Sequence, residues 1–305
     1  MHITLKTLTP LWTGGVDQTC DRLHETGLIG SLRWWYEALV RGLGGYACDP
    51  TQHSCTFDEE KYRKSKAGDE RQRLRNAGVC DACQLFGCTG WARKFRLRVL
   101  DEQGKLIQNC LAAEQIFHLE FLELRRMDDQ EKWLLYEAIK IAAGYGSLGG
   151  KTTLKPQKDQ RKGADMGIVS IIDSPVKPIK PNDNNMKDFL AKFRQVTPEG
   201  AADLRWFFFV NGAFLWRKQM NHLLGQDEKG NPLSNASDWQ EFLCGKRGSK
   251  NEDAVSKKLF SFRKPERIWG YAKDLQMRNN IIGELKKILG REYTVKTGEE
   301  VLNEL

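Results

Sequence analysis

Apolar and polar residues alternate from Ile3 to Leu8, the period-two pattern of a strand with one buried face, and the following TPLWTGG breaks it. From Ser31 to Leu43 the spacing becomes helical. Leu32, Trp35, Tyr36, Leu39 and Leu43 fall on one face, while Arg33, Glu37 and Arg41 share another at i, i+4. Alternation returns over Lys94 to Leu100, which puts Lys94, Arg96 and Arg98 on one side and Phe95, Leu97 and Val99 on the other. Gln115 to Leu122 is a further strand, and DEQGK between the two suggests a hairpin. A helix over Gln130 to Ala143 stops at Gly144, and Gly167 to Ile172 supplies a last short strand. The order strand, helix, strand, strand, helix, strand predicts an α+β fold of the ferredoxin-like (RRM-like) kind over residues 1–180, with an insertion at about 46–90.

The pattern changes past the Pro/Asn-rich PVKPIKPNDNN. Residues 181–305 read as mainly helical, around Trp206, Phe214, Trp239, Leu243 and Ile281 to Leu289. Within them WFFFVNGAFLW, Trp206 to Trp216, reads as a buried helix rather than a platform for stacking bases. No internal repeat is evident in the sequence.

Composition adds a partner class. Lys and Arg number 48 against 40 Asp and Glu in 305 residues, a net charge of +8, and the pI near 9.0 favours an acidic partner such as nucleic acid. The first residues lack the pattern of an export signal, and no apolar run approaches the ~18 residues of a membrane span, which points to a soluble, cytoplasmic protein. In a reducing compartment the eight cysteines are metal ligands or free thiols rather than disulfides. Cys80 and Cys83 form a Cys-x-x-Cys pair, and Cys48 and Cys55 lie upstream. The four are candidates for one structural zinc site, with His53 as a substitute ligand; the alternative is a set of reduced, unpaired thiols.

TPLWTGG followed by GLIGSLRWWYEAL, then CDACQLFGC and GYGSLGGKTTL, resembles the RAMP (repeat-associated mysterious protein) superfamily of CRISPR effector subunits over roughly residues 1–175. The double tryptophan after Gly-Ser-x-Arg is most similar to the first RAMP subunit of the type III-B Cmr complex. The resemblance implies a ferredoxin-like fold that holds guide RNA, with target RNA paired to it and other RAMP subunits stacked alongside. The implied role is that of a non-catalytic RNA-binding subunit of a ribonucleoprotein complex in antiviral defence.

Gly30-Ser31-Leu32-Arg33 reads as a helix start, where free N–H groups and the dipole receive a phosphate and Arg33 adds a fork of donors; the alternative pairs Arg33 with Glu37 on a solvated face. GYGSLGGKTT nearly imitates a P-loop, but Tyr145 stands where that pattern needs glycine, so ATP is not its ligand. Gly146, Ser147, Gly149, Gly150 and Lys151 instead suit close approach of backbone to RNA. Arg93, Lys94, Arg96 and Arg98 suit phosphates, and the seven Lys and Arg from Lys61 to Arg75 are either a further such surface or a solvated face. Asp17 occupies the place where backbone-type RAMP subunits of type III complexes carry a target-cleaving aspartate. The alternative function is therefore a metal-dependent endoribonuclease, with Mg²⁺ needed only in that case. His24 is the one histidine near that loop.

Overall fold

The computed structural model describes residues 1–305 apart from 15–19, 21, 151–164, 176, 183–185, 187, 191–197, 247, 249–253 and 291–292. Strand β1 (His2–Thr7) leads to helix α1 (Glu25–Gly42), and three short helices follow, α2 (Glu59–Lys64), α3 (Glu70–Asn76) and α4 (Asp81–Phe86). The hairpin β2 (Phe95–Leu100) and β3 (Ile116–Glu123), helix α5 (Asp129–Gly144) and strand β4 (Val169–Asp173) complete an antiparallel sheet of order β2-β3-β1-β4. Ile3, Leu5, Phe95, Leu97, Phe117 and Phe121 are buried on one face beneath α1 and α5, as the alternation requires.

Helix α1 begins at Glu25, ahead of the expected start at Ser31. His24 precedes it, and the His24 N–H is satisfied by Thr13 Oγ1 at 2.8 Å. Gly30 to Arg33 therefore lie inside the helix, where their N–H groups are spent on the helical ladder and offer no anion site.

The larger departure is in the second half, where a four-stranded antiparallel sheet stands within the region read as mainly helical. A short 3-10 turn (Leu204–Trp206) opens into β5 (Phe207–Asn211), followed by α6 (Arg217–Leu223), α7 (Asp238–Cys244), the hairpin β6 (Leu259–Arg263) and β7 (Glu266–Tyr271), α8 (Leu275–Leu289), β8 (Thr294–Thr297) and α9 (Gly298–Asn303). The sheet order is β6-β7-β5-β8. Counted within each half, this repeats the order of the first sheet, a duplication of topology that the sequence did not disclose.

The run FFFV is strand β5 and not a helix, because both faces of the strand are buried. Phe208 and Val210 pack with Ile268, Met277, Ile281 and Leu285 on the side of α8. Phe207 and Phe209 face the first half, where Phe207 lies 5.7 Å from Trp34 and 5.6 Å from Trp35 between ring centroids. A strand covered on two sides is apolar throughout and shows no period-two signal. The layers accordingly run sheet, helices α1 and α5, sheet, helices α6 and α8.

The insertion is pinned by buried charge. Arg71 and Arg75 donate to Asp81 at 2.9 and 3.0 Å, and the Arg71 guanidinium lies 3.3 Å from the centre of the Phe189 ring. Lys94 bonds Glu131 at 2.9 Å. Burial pushes the Glu131 carboxyl up, against the pull of Lys94 and Arg71.

Phe207→Ala should destabilise the fold by about 3–5 kcal/mol, the usual cost of emptying a buried aromatic site. Denaturant titration reads this directly, and a loss below about 1 kcal/mol would contradict the packing of the second sheet on α1.

Candidate functional site

Four cysteine thiols converge where the insertion meets α1. Cys48, Cys55, Cys80 and Cys83 are buried, and their Sγ atoms all lie within 4.8 Å of one another. Cys80 precedes α4 and Cys83 sits in its first turn, so the helix carries both at one end. The Cys48 and Cys83 sulfurs are 3.6 Å apart. An ion with bonds of ~2.3 Å to four tetrahedral sulfurs sets them ~3.8 Å apart, so the donor set and spacing fit zinc. His53 is exposed on the Asp49–His53 bridge and is outside this cluster. Hydrogen bonds from Cys55, Cys80 and Cys83 hold the Cys48 thiol far below the ordinary range.

Arg33 faces this cluster. Its Nη2 donates to Cys83 Sγ at 3.1 Å and lies 3.7 Å from Cys48 Sγ, Nη1 donates to the Gly87 carbonyl at 3.0 Å, and Nε bonds Glu37 at 2.6 Å. The reading of Arg33 as a phosphate fork gives way, because Nε, Nη1 and Nη2 are all engaged within the protein. The alternative holds for the pair with Glu37 but not for a solvated face, since Glu37 and Arg41 are buried. Burial raises the Glu37 carboxyl to about 7, against the lowering effect of Arg33 and Arg41.

A second site lies between the halves. Trp12, Thr13, Ser31, Trp34, Ser147, Gly149, Gly150, Lys257, Phe260, Trp269 and Tyr271 are among the residues lining a cleft of about 360 Å³. Ser31 Oγ accepts from the Gly149 N–H at 3.2 Å, and Trp35 Nε1 donates to the Ser147 carbonyl at 3.0 Å. Gly149 has φ +79°, and a Cβ there would fall 2.5 Å from the Trp12 carbonyl oxygen. A Cβ on Gly146 would meet the Trp35 ring at 2.1 Å. Both glycines thus let the loop close on tryptophan. Arg267 braces the loop from the second half, donating to the carbonyls of Ala143 and Gly146 at 3.1 and 2.9 Å; burial lowers its pKa to about 10.

The structure therefore brings Ser31, Ser147, Gly149 and Gly150 together, with Gly146 behind them. Gly30 is exposed on α1. Arg96 and Arg98 project from the other face of the first sheet, Arg98 paired with Glu120 at 3.1 Å, and Arg93 is half-buried before that strand. Lys94 does not share their face, because the chain bends there and turns it inward to Glu131. In the run from Lys61 to Arg75, Lys61, Arg63 and Lys64 pair with Asp58, Glu59 and Glu60, while Arg71 and Arg75 are the buried pins on Asp81. Asp17 and Lys151 lie outside the described residues. His24 caps α1 through its backbone. Sequence reasoning missed the second half's contribution, Lys257, Phe260, Trp269 and Tyr271, because β6 and β7 were not recognised as strands. Trp12 was legible only as a strand breaker. Cys20 and Cys110 form a disulfide, contrary to the expectation of thiols alone; the preceding Leu11–Leu111 bridge draws their two loops together. No helix among the described residues is long and apolar enough to cross a membrane.

The RAMP superfamily model matches residues 4–154. Among solved structures, Cmr1 from Pyrococcus furiosus in its apo form is similar over 98% of this chain and 98% of that one, at 11% identity and a TM-score of 0.47. A chain of a type IV-B CRISPR complex is similar over 59% of this chain and 93% of its own, at 10% identity and a TM-score of 0.37. No curated protein matches the sequence.

Protein purified without chelator should carry one zinc per chain, measured by elemental analysis, with an all-sulfur shell near 2.3 Å by X-ray absorption. Cys80→Ser with Cys83→Ser should abolish it. A metal content near zero in the wild type would rule out the assignment.

Proposed function

Residues 4–154 belong to the RAMP superfamily, and from that premise we propose that the chain is a non-catalytic RNA-binding subunit of a type III CRISPR RNA-guided effector complex. In this reading it is cytoplasmic, packs beside other RAMP subunits near one end of the assembly in antiviral defence, and holds guide RNA or the guide-target duplex. The strand order β2-β3-β1-β4 with two crossing helices supports a ferredoxin-like first domain over residues 1–180. The recurrence of that order in β5 to β8 supports a second domain in residues 181–305.

The observation that carries the proposal is the convergence of Ser31 and the Gly146 to Gly150 loop on an aromatic-walled cleft between the two sheets. Such a cleft combines what single-stranded RNA needs from a protein that does not read sequence. Rings such as Trp12 and Trp34 offer stacking surface to any base, and glycine backbone admits phosphates closely. Lys257 supplies charge. Guide-target pairing then supplies the specificity while the protein grips backbone and shape. Arg96 and Arg98 on the other face of the first sheet are a separate phosphate contact. Zinc, when bound, cross-links the insertion and takes no part in chemistry. Mg²⁺ enters only if Asp17 makes the chain an endoribonuclease.

In the assembled complex Trp12→Ala should weaken guide RNA binding about 5- to 100-fold, the usual worth of one stacked base. Lys257→Ala should lower the slope of log affinity against log salt by about one, whereas Arg96→Ala with Arg98→Ala reports on the open face separately. Unchanged affinity and salt dependence in both cleft variants would remove the cleft from the proposal. Target cleavage by the complex should be unaltered by Asp17→Ala when labelled RNA and Mg²⁺ are supplied. Loss of one cleavage product would instead make the chain an endoribonuclease subunit.

A further inference from the structure

The stripe Arg33, Glu37, Arg41 runs along the one face of α1 that meets neither sheet. Glu37 and Arg41 are each 2% exposed. Arg41 Nε donates to the Ala47 carbonyl at 3.0 Å and Nη1 to the Ala202 carbonyl at 2.7 Å. The backbone entering Cys48 is thereby held at one end of the stripe, and the sulfurs of Cys48 and Cys83 meet Arg33 at the other.

A divalent ion held by four thiolates keeps roughly two excess negative charges, which burial makes costly unless cations or N–H donors face the sulfurs. Among the described residues Arg33 does both, with a full charge and an N–H 3.1 Å from Cys83 Sγ. Its other fork nitrogen anchors the Gly87 carbonyl, just past the helix that carries Cys83.

We propose that Arg33 is the positioning residue of the four-thiol metal centre, an outer-shell donor to Cys83 and Cys48 that fixes the thiolates and offsets their charge rather than a contact for RNA. The inference rests on the four-thiol metal reading, and the experiment separates the two. Outer-shell partners of metal ligands are commonly worth about 10- to 100-fold in affinity. Glu37 sits 2.6 Å from Arg33 and 3.8 Å from Arg41, so removing Arg33 alone would leave a buried carboxylate without its hydrogen-bonded partner and with only the more distant arginine. The informative variant is Arg33→Met with Glu37→Gln, beside Glu37→Gln as its control.

Zinc affinity is measured by competition with a chromogenic chelator, and the cobalt-substituted proteins are compared by absorption. The double variant should lose about 10- to 100-fold in zinc affinity relative to the control. Its sulfur-to-cobalt charge-transfer band should shift while the d–d bands stay tetrahedral, because the ligands are the same but their hydrogen bonds are gone. Arg33→Lys, which keeps the charge without the fork, should recover part of the affinity and is read in the same way if the double variant is insoluble. Equal zinc affinity and an unmoved charge-transfer band would overturn the proposal and leave the metal centre standing. Absence of zinc from the wild type would overturn both. Unchanged zinc affinity with weaker RNA binding would return Arg33 to the phosphates.

Discussion

Helix α1 is covered on three sides, and much of the fold depends on that constraint. Leu32, Tyr36 and Leu39 belong to the core beneath the first sheet. Trp34 and Trp35 meet Trp269 of the second sheet at 5.9 and 5.1 Å between ring centroids. Arg33, Glu37 and Arg41 face the cysteine insertion. A helix with one exposed face can drift or rotate at little cost, whereas here a rotation would carry charge into one sheet or tryptophan into the thiols. Because three partners set one orientation, the Ser31 side chain is delivered to the glycine loop with little freedom left, as preorganised binding requires.

The same constraint changes what the basic composition means. A net charge of +8 suggests a surface for polyanions, but Arg41, Arg75, Lys94, Arg267 and Arg278 are buried. Their charge holds the fold together: Arg75 closes the insertion on Asp81, Lys94 ties β2 to α5 through Glu131, and Arg278 pairs with Glu299 at 2.8 Å. Each such pair costs desolvation and would be strongly destabilising if broken on one side only. The cations available to RNA are therefore fewer than the count suggests, and the stacking surface of the cleft carries a correspondingly larger share of the proposed binding.

Much of the first half was legible, because β1, β2 and β3 each bury one face and alternate accordingly. The four cysteines were legible from spacing alone. What failed did so for identifiable physical reasons. Phe207 to Val210 lost the strand signal through two-sided burial, and Gly30-Ser31 resembled a helix start because glycine and serine favour ends, although α1 already runs from Glu25. Lys94 fits the alternation of β2, yet a single bend before Phe95 sends it to Glu131. The pairing of Cys20 with Cys110 depends on two loops meeting across 90 residues of chain, which local pattern does not encode. The repeated topology is invisible for a related reason: sheet order records which strands pair, and equivalent orders can be built from unrelated side chains.

The duplication also accounts for the position of the cleft. In the first half, among the described residues, no helix covers the other face of the sheet: Arg96 is exposed upon it, and Pro175 and Lys177 to Pro181 border it beside His2, Glu120 and Leu122. In the second half the corresponding face, bearing Phe207, Phe209, Trp269 and Tyr271, is instead covered by α1 and the end of α5. That cover is incomplete where α1 begins, since the first turns of the helix and the glycine loop leave part of the aromatic face uncovered beside Ser31. A sheet face of this kind would otherwise be a large exposed apolar patch, a liability in a free chain. Covering most of it with a tryptophan-bearing helix secures the fold, and the gap left at the glycine loop, where backbone and Lys257 adjoin the rings, is the cleft in which the proposed RNA contact lies.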